Sequence, residues 1–128
     1  MAEWKYYNPN PKRGDGLDCT IRAICAVTGL DWETVYAATA LEGYIDGNVQ
    51  DANTIWVAFL RRLGFRREII PNSCPDCYTV EDFADEHPEG RYVLCSGSHA
   101  VAIVSGVVWD LWDSRSVTPM FYLYKPEE

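Results

Sequence analysis

The hydrophobic pattern changes half-way along the chain, and this change limits the possible folds more than any other feature. Up to Gly64, apolar residues recur at intervals of three and four, which is the spacing of amphipathic helices. After Phe65 they come in short runs rich in Val, Ile and Tyr, separated by turn residues, which is typical of strands. The sequence therefore predicts an α+β fold, with N-terminal helices followed by a C-terminal antiparallel β-sheet.

The size of the chain indicates a single domain, because 128 residues match the usual length of one. Residues 1–16 contain Asn8-Pro9-Asn10-Pro11, and a residue before proline is pushed out of the helical region, so an extended arm is expected there. Residues 17–64 then form a helical half, and residues 65–128 form a mainly β half.

Turn and capping residues divide the two halves into elements. Helices are expected from about Cys19 to Thr28, from Asp31 to a break at Gly43, and from a cap at Asp51 or Asn53 to Gly64, with a loop over 44–52. The second half predicts a short strand over 66–70, a turn over 71–76, a short helix with a capping box at Thr79–Asp82, and strands over 92–95, 99–104, 107–113 and 117–124.

Composition excludes several classes of partner. The formal net charge of −8 argues against nucleic acid as a partner, since nucleic-acid binders usually present a basic face. The cluster Arg61, Arg62, Arg66 and Arg67 is interpreted as a solvated helix end and strand start. No apolar run follows Met1 or approaches the roughly 20 residues that span a bilayer. We therefore expect a cytoplasmic protein without a membrane partner.

Cys19 is the first candidate for chemistry. Gly14 and Gly16 precede it and an apolar helical pattern follows, so the thiol falls at a helix N-terminus. The unpaired N–H groups and the positive end of the helix dipole there favour an anion, and they lower the pKa of a cysteine. Arg22, one turn later, has the spacing of an ion pair with Asp18.

Only two histidines are available as a base for this thiol. His87 stands before Pro88 in a polar turn and is interpreted as a solvated or capping residue. His99 follows Ser96-Gly97-Ser98 and begins an apolar strand, so the rim of a sheet is expected to hold it facing a cleft.

A carboxylate is needed to orient the imidazole, and the next strand offers Asp110 and Asp113. The hairpin at Ser105-Gly106 decides between them, because side chains alternate along a strand. A two-residue loop places Asp110 on the face of His99, whereas a three-residue loop places Asp113 directly opposite it.

Two short motifs resemble the papain-like cysteine peptidases. These are a cysteine at a helix start and a later His-Ala-Val-Ala run, His99 to Ala102, followed on the next strand by Asp113-Ser114, where the family has Asn-Ser. The aspartate and the Asp18-Cys19 pair are closer to the C39-like members of this group. The resemblance implies a papain-like fold without a cofactor and a triad of Cys19, His99 and Asp113, with Asp110 as the alternative acid.

The surroundings of the nucleophile depart from the family pattern. Papain-like enzymes place a glutamine six residues before the cysteine as an oxyanion donor, and here that position is Arg13. The oxyanion donors implied are therefore the side chain of Asn10 or Arg13, together with the backbone N–H of Cys19. The spacing of 80 residues from Cys19 to His99 is also shorter than the roughly 130 of full-size members.

The pair Cys74-Pro75-Asp76-Cys77 is half of a zinc motif by spacing, but structural zinc needs four ligands. A turn with two free thiols is the preferred interpretation, with zinc at Cys74 and Cys77 as the alternative. Cys25 and Cys95 lie in apolar segments and are expected in the core.

Together these patterns predict a thiol hydrolase that cleaves peptide or isopeptide bonds through a thioester, with a peptide or protein as substrate. The alternative is a binding module that keeps the fold without catalysis and is stiffened by zinc.

Overall fold

This computed structural model describes residues 1–12 and 17–126, which contain four helices and six strands. In chain order they are β1 (Glu3–Tyr6), α1 (Cys19–Thr28), α2 (Trp32–Asp46), α3 (Asn53–Arg62), β2 (Arg66–Ile69), α4 (Val80–Glu86), β3 (Arg91–Cys95), β4 (Ala100–Val104), β5 (Val107–Asp110) and β6 (Phe121–Tyr124). The predicted α+β class is confirmed.

The six strands form one sheet in the order β1-β5-β4-β3-β6-β2. All neighbours pair antiparallel except β1, which runs parallel to β5 with Glu3 opposite Val107 and Tyr6 opposite Asp110. The sheet is therefore mixed and not antiparallel, and residues 3–6 of the predicted extended arm form a strand of it, which was not predicted. These four residues are all exposed, so no buried face marked them as a strand; the open edge of β5 pairs with their backbone.

Helices cover both faces of the sheet. Ala100 and Ala102 of β4 face the core beneath α1, whereas Val101 and Ile103 face the core beneath α4. The small alanines let α1 approach the sheet closely, and every residue of α1 from Thr20 to Val27 is buried. This central packing holds the start of α1 against the start of β4.

Gly43 does not end α2, contrary to the prediction. The helix continues to Asp46 and is closed by Gly47 in the left-handed conformation. The following loop folds back, so that the Asn48 N–H donates to the Gly43 carbonyl at 2.8 Å, and a Cβ at Gly43 would lie 2.7 Å from the Asn48 oxygen. Glycine is needed here for close approach of two backbone segments and not for a turn.

Other boundaries match in part. The first helix and the capping box of Thr79 and Asp82 are confirmed, whereas α3 is preceded by Ala52, which has no capping side chain, in place of the expected Asp51 or Asn53. The last two strands are shorter than predicted, ending at Asp110 and beginning at Phe121. In the described ranges, no helix combines the length and apolar character needed to cross a membrane.

Candidate active site

The site lies at the end of the sheet at which β4 begins and β5 and β1 finish. The β4–β5 hairpin pairs Ala102 with Trp109 and Val104 with Val107, so its loop has two residues, Ser105 and Gly106. Both have positive φ angles, 51° and 77°, as in the tight turns that match strand twist. This register selects Asp110 as the carboxylate on the His99 side of the hairpin.

Asp110 is the orienting partner of His99. Its Oδ2 lies 2.7 Å from His99 Nε2, and the carboxylate is buried with its residue only 1% exposed. The carboxylate accepts three further hydrogen bonds, from Ser114 Oγ at 2.7 Å, from Arg22 Nη1 at 2.9 Å and from the Leu111 N–H at 2.7 Å. Burial opposes ionisation, but the hydrogen bonds from His99 and Ser114 and the charges of His99 and Arg22 keep the pKa of Asp110 below its usual value.

Asp113 is not the orienting residue, which corrects the preference drawn from the family motif. Its carboxylate accepts hydrogen bonds from Arg115 Nε and Nη2, both at 2.8 Å, on the protein surface. The three-residue loop that would have placed it opposite His99 is absent from this hairpin, and β5 has already ended at Asp110. Ser114, its neighbour in the motif, is completely buried and serves Asp110.

Cys19 occupies the first position of α1, as predicted, and its side chain is partly buried against the core. Burial would raise the pKa of the thiol. A hydrogen bond with His99, one with the Ala100 backbone and the positive charges of His99 and Arg22 outweigh burial, so that the pKa of Cys19 falls below its ordinary value.

His99 lies between the two acidic groups. Burial alone would lower its pKa, but hydrogen bonds to Asp110 and Cys19 and their negative charges raise it to about 9. Because Nε2 is engaged by Asp110, Nδ1 is the nitrogen left to serve the thiol. The Trp112 ring, with its centroid 4.7 Å from that of the imidazole, covers one side of the base.

Arg22 connects the nucleophile helix to the orienting carboxylate. Its Nε is 3.0 Å from Asp18 Oδ1, which confirms the predicted ion pair, and its Nη1 is 2.9 Å from Asp110 Oδ1. The arginine is only 3% exposed, so this charge is enclosed between two carboxylates. Sequence reasoning found only the local pair. The missed signal was a charged residue within the run Ile21-Arg22-Ala23-Ile24, since a buried arginine requires a second anionic partner.

The described residues include two of the three predicted oxyanion donors, the side chain of Asn10 and the backbone N–H of Cys19. Asn10 is buried, and its Nδ2 donates to Asp18 Oδ2 at 3.3 Å, which brings the amide beside the residue that precedes the thiol. Trp32 Nε1 donates to the same oxygen at 2.8 Å. The backbone N–H of Cys19 belongs to the first turn of α1. Arg13 lies outside the described residues.

Cys74 and Cys77 are joined by a disulfide in an exposed turn. This corrects the expectation of two free thiols, and because the sulfurs bond to each other it leaves neither as a thiolate for zinc. Within 1–12 and 17–126, no group of three or more His, Cys, Asp or Glu side chains is arranged to hold a metal. Cys25 and Cys95 are buried and free, as predicted. Burial raises the pKa of both, for Cys25 to about 12.

His87 has a structural role, in agreement with the prediction. It follows the last residue of α4, its Nδ1 lies 2.7 Å from the Phe83 carbonyl, and its ring stacks on the Phe83 ring with centroids 3.8 Å apart. His99 is therefore the one histidine placed at the thiol.

A cleft of about 450 Å³ adjoins the start of α1. Its wall includes Asp18 and Thr20, the sequence neighbours of Cys19, together with Asn10, Tyr36 and Asp51, whereas Cys19 and His99 themselves do not line it. An extended peptide segment therefore has an approach to the N-terminal end of the helix.

The arrangement as a whole can hold a thiolate beside an imidazolium. Comparisons with known proteins do not identify a family. No protein-family model matches the chain, and neither a curated protein nor a solved structure matches it. The chemistry of the residues themselves carries the functional proposal.

Proposed function

We propose that the chain is a cysteine hydrolase with a papain-like arrangement, of the C39-like kind, which cleaves peptide or isopeptide bonds. The observation that carries this proposal is the alignment of three groups: a thiol at a helix N-terminus, an imidazole that lowers the pKa of this thiol, and a buried carboxylate 2.7 Å from the imidazole Nε2. A structural cysteine needs neither a base nor an oriented imidazole, whereas a nucleophile needs both.

The mechanism follows from the charges. The Cys19 proton passes to His99, and the thiolate attacks the carbonyl carbon of the substrate to form a tetrahedral oxyanion. The Cys19 N–H and the Asn10 amide are the proposed donors to that oxyanion. Collapse breaks the C–N bond, and imidazolium gives its proton to the leaving amine. Water, deprotonated by His99, then hydrolyses the thioester and restores the thiol.

The orienting acid in this proposal is Asp110. Its four hydrogen bonds hold the carboxylate still, so that the imidazole is held in one orientation and the imidazolium is stabilised. The cycle uses no cofactor. It requires Cys19 to be reduced.

Alkylation by iodoacetamide tests the proposal. At about pH 7, where an ordinary thiol is mostly protonated, mass spectrometry is expected to show Cys19 modified much faster than Cys25 or Cys95. In His99→Ala the advantage of Cys19 is expected to disappear, because the hydrogen bond and the charge that lower its pKa are lost.

Hydrolysis is tested separately on a fluorogenic peptide library, with Cys19→Ser as the inactive control. If Cys19 reacts no faster than the two buried thiols, the protein is not a thiol hydrolase. A reactive Cys19 without turnover of any amide would instead favour the binding module.

A further inference from the structure

The outer face of α2 lacks the charged residues that normally keep a helix surface in water. We define the α2 outer face by the side chains that α2 directs away from the core: Tyr36, Ala37, Ala40, Leu41, Tyr44 and Ile45. Leu41, Tyr44 and Ile45 are 58%, 83% and 70% exposed. A solvent-facing helix normally carries polar residues on this side, so the face is typical of a helix that packs against another surface.

The only charged side chain between Tyr36 and Ile45 points away from this face. Glu42 is buried, and its Oε2 is 3.0 Å from Arg62 Nη2 on α3. The opposite side of α2 is thus anchored to α3, while the α2 outer face has no partner within the part of the chain that the structure describes.

Acidic residues surround the α2 outer face. From Ala23 to Leu60 the sequence contains no Lys, Arg or His, but it contains Asp and Glu at five positions: Asp31, Glu33, Glu42, Asp46 and Asp51. Glu33 lies exposed at one end of the face and Asp46 at the other, whereas the exposed Asp51 lines the same cleft as Tyr36. An apolar strip with acidic ends is complementary to an apolar strip with basic ends.

The charge pattern disfavours a second copy of this chain as the occupant. In a two-fold dimer through α2 with antiparallel helices, Glu33 of one copy would approach Asp46 of the other at both ends. Like charges would then meet at both ends of the contact, between chains that each carry a formal charge of −8.

We infer that the α2 outer face is a docking surface for an amphipathic segment of a partner protein, with apolar residues along one side and Lys or Arg at its margins. Tyr36 and Asp51 also line the cleft beside Asp18 and Thr20, the sequence neighbours of Cys19. We therefore expect a segment on this face to extend towards the thiol. The partner is therefore a protein substrate. This last identification rests on the proposed hydrolase function.

Binding of a model peptide tests the docking surface. The probe is a fluorescent peptide of about 18 residues, made only of Leu and Lys with Leu at helical spacing. The protein is the full chain with Cys19→Ser, so that binding is measured without turnover. Two control peptides are a shuffled Leu–Lys sequence without a continuous apolar side and a Leu–Glu peptide with the same pattern as the probe.

We expect the Leu–Lys peptide to bind with a micromolar Kd and neither control peptide to bind. The double variant Leu41→Ser, Tyr44→Ser is expected to weaken this binding about tenfold or more, since a few central residues carry most interface energy. The matched control is Ile69→Ser with Met120→Ser, which are 69% and 58% exposed and lie outside the face. These substitutions are expected to leave the Kd unchanged.

Three results would overturn the docking surface: no binding of the Leu–Lys peptide, equal binding of either control peptide, or equal weakening by the control substitutions. A fourth such result would come from sedimentation. If the wild type is a dimer and Leu41→Ser is a monomer, a second copy of the chain occupies the α2 outer face.

The substrate identification has its own readout. The bound Leu–Lys peptide is expected to slow alkylation of Cys19 in the wild type, because it lies across the approach to the thiol. Peptide binding without protection of a reactive Cys19 would refute the substrate identification and leave the hydrolase proposal in place. A Cys19 that is unreactive without peptide would refute the hydrolase proposal and leave the docking surface in place.

Discussion

Replacement of Asp110 by asparagine separates the charge of the orienting residue from its shape. The amide keeps the size of the carboxylate and still accepts a hydrogen bond from His99 Nε2, but it carries no negative charge. The hydrogen bond to Asp110 is the largest of the causes that raise the His99 pKa from 6.5 to about 9, followed by the hydrogen bond with Cys19 and by the charges of Asp110 and Cys19. We expect Asp110→Asn to lower that pKa by about two units, because burial then acts against a weaker opposing charge.

The size of the effect can be stated as a free energy. A rise from 6.5 to about 9 corresponds to about 3 kcal/mol of preference for the imidazolium, at about 1.4 kcal/mol per pKa unit. The His99 side chain is 16% exposed and that of Asp110 is fully buried, so solvent screens the pair only weakly. In Asp110→Asn the thiolate–imidazolium pair loses the part of this energy that the charge of Asp110 supplies, and we expect the pKa of Cys19 to rise.

Nuclear magnetic resonance measures this directly, because the chain has only two histidines. The ring signals are followed from about pH 5 to 10, and His87→Gln assigns the second signal. The matched control is Asp113→Asn, which removes an exposed carboxylate bound to Arg115. It is expected to leave the His99 titration unchanged.

Two outcomes would refute the assignment of Asp110. The first is a His99 pKa that does not change in Asp110→Asn, and the second is an equal fall in Asp113→Asn. Asp110→Ala adds a further distinction. If Cys19 is alkylated faster in Asp110→Asn than in Asp110→Ala, the residue at position 110 also acts by orienting the imidazole. If the alkylation rate falls equally in both variants, the whole effect of Asp110 comes from its charge.

The remaining predictions concern stability and are measured by urea unfolding. Arg22→Met should cost about 3–5 kcal/mol, because it removes the buried positive charge that pairs with both Asp18 and Asp110; a loss below about 1 kcal/mol, as for a surface pair, would contradict this. Gly43→Ala should destabilise by about 1–3 kcal/mol despite the better helix propensity of alanine, since its Cβ meets a backbone oxygen at 2.7 Å; a gain would show that the loop moves aside. Replacing Cys74 and Cys77 by serine should cost about 2 kcal/mol or less, because the disulfide closes a very short loop, and should leave alkylation of Cys19 unchanged. The raised pKa of His99 stabilises the folded state fully below pH 6.5, and this contribution should fade as the pH rises to about 9; His99→Gln should abolish that dependence.

The helical half was predictable because its signals are local. Gly29 closes α1, and the apolar period locates both other helices. The end of α2 was not predictable, since Gly43 is a helix breaker by propensity and only the fold shows the loop that approaches it. The pairing of β1 with β5 joins residues about a hundred positions apart and leaves no periodic mark on an exposed strand.

The site was predictable up to the hairpin register. Cys19 and His99 followed from residue type and position, and the two-residue loop pointed to Asp110 before the family motif favoured Asp113. The motif misled because it matches residues by sequence order, whereas register decides which carboxylate reaches the imidazole. The second contact of Arg22 joins residues 88 positions apart and required the fold.

The separation of the site residues along the chain has a consequence for biosynthesis. Cys19 leaves the ribosome 91 residues before Asp110, at the end of the β4–β5 hairpin. Until that hairpin pairs and packs beneath α1, the nascent polypeptide holds a thiol without a base and with its ordinary acidity. The lowered pKa of Cys19 therefore appears only once this part of the fold has formed, so that the alkylation rate of Cys19 is expected to report the native state.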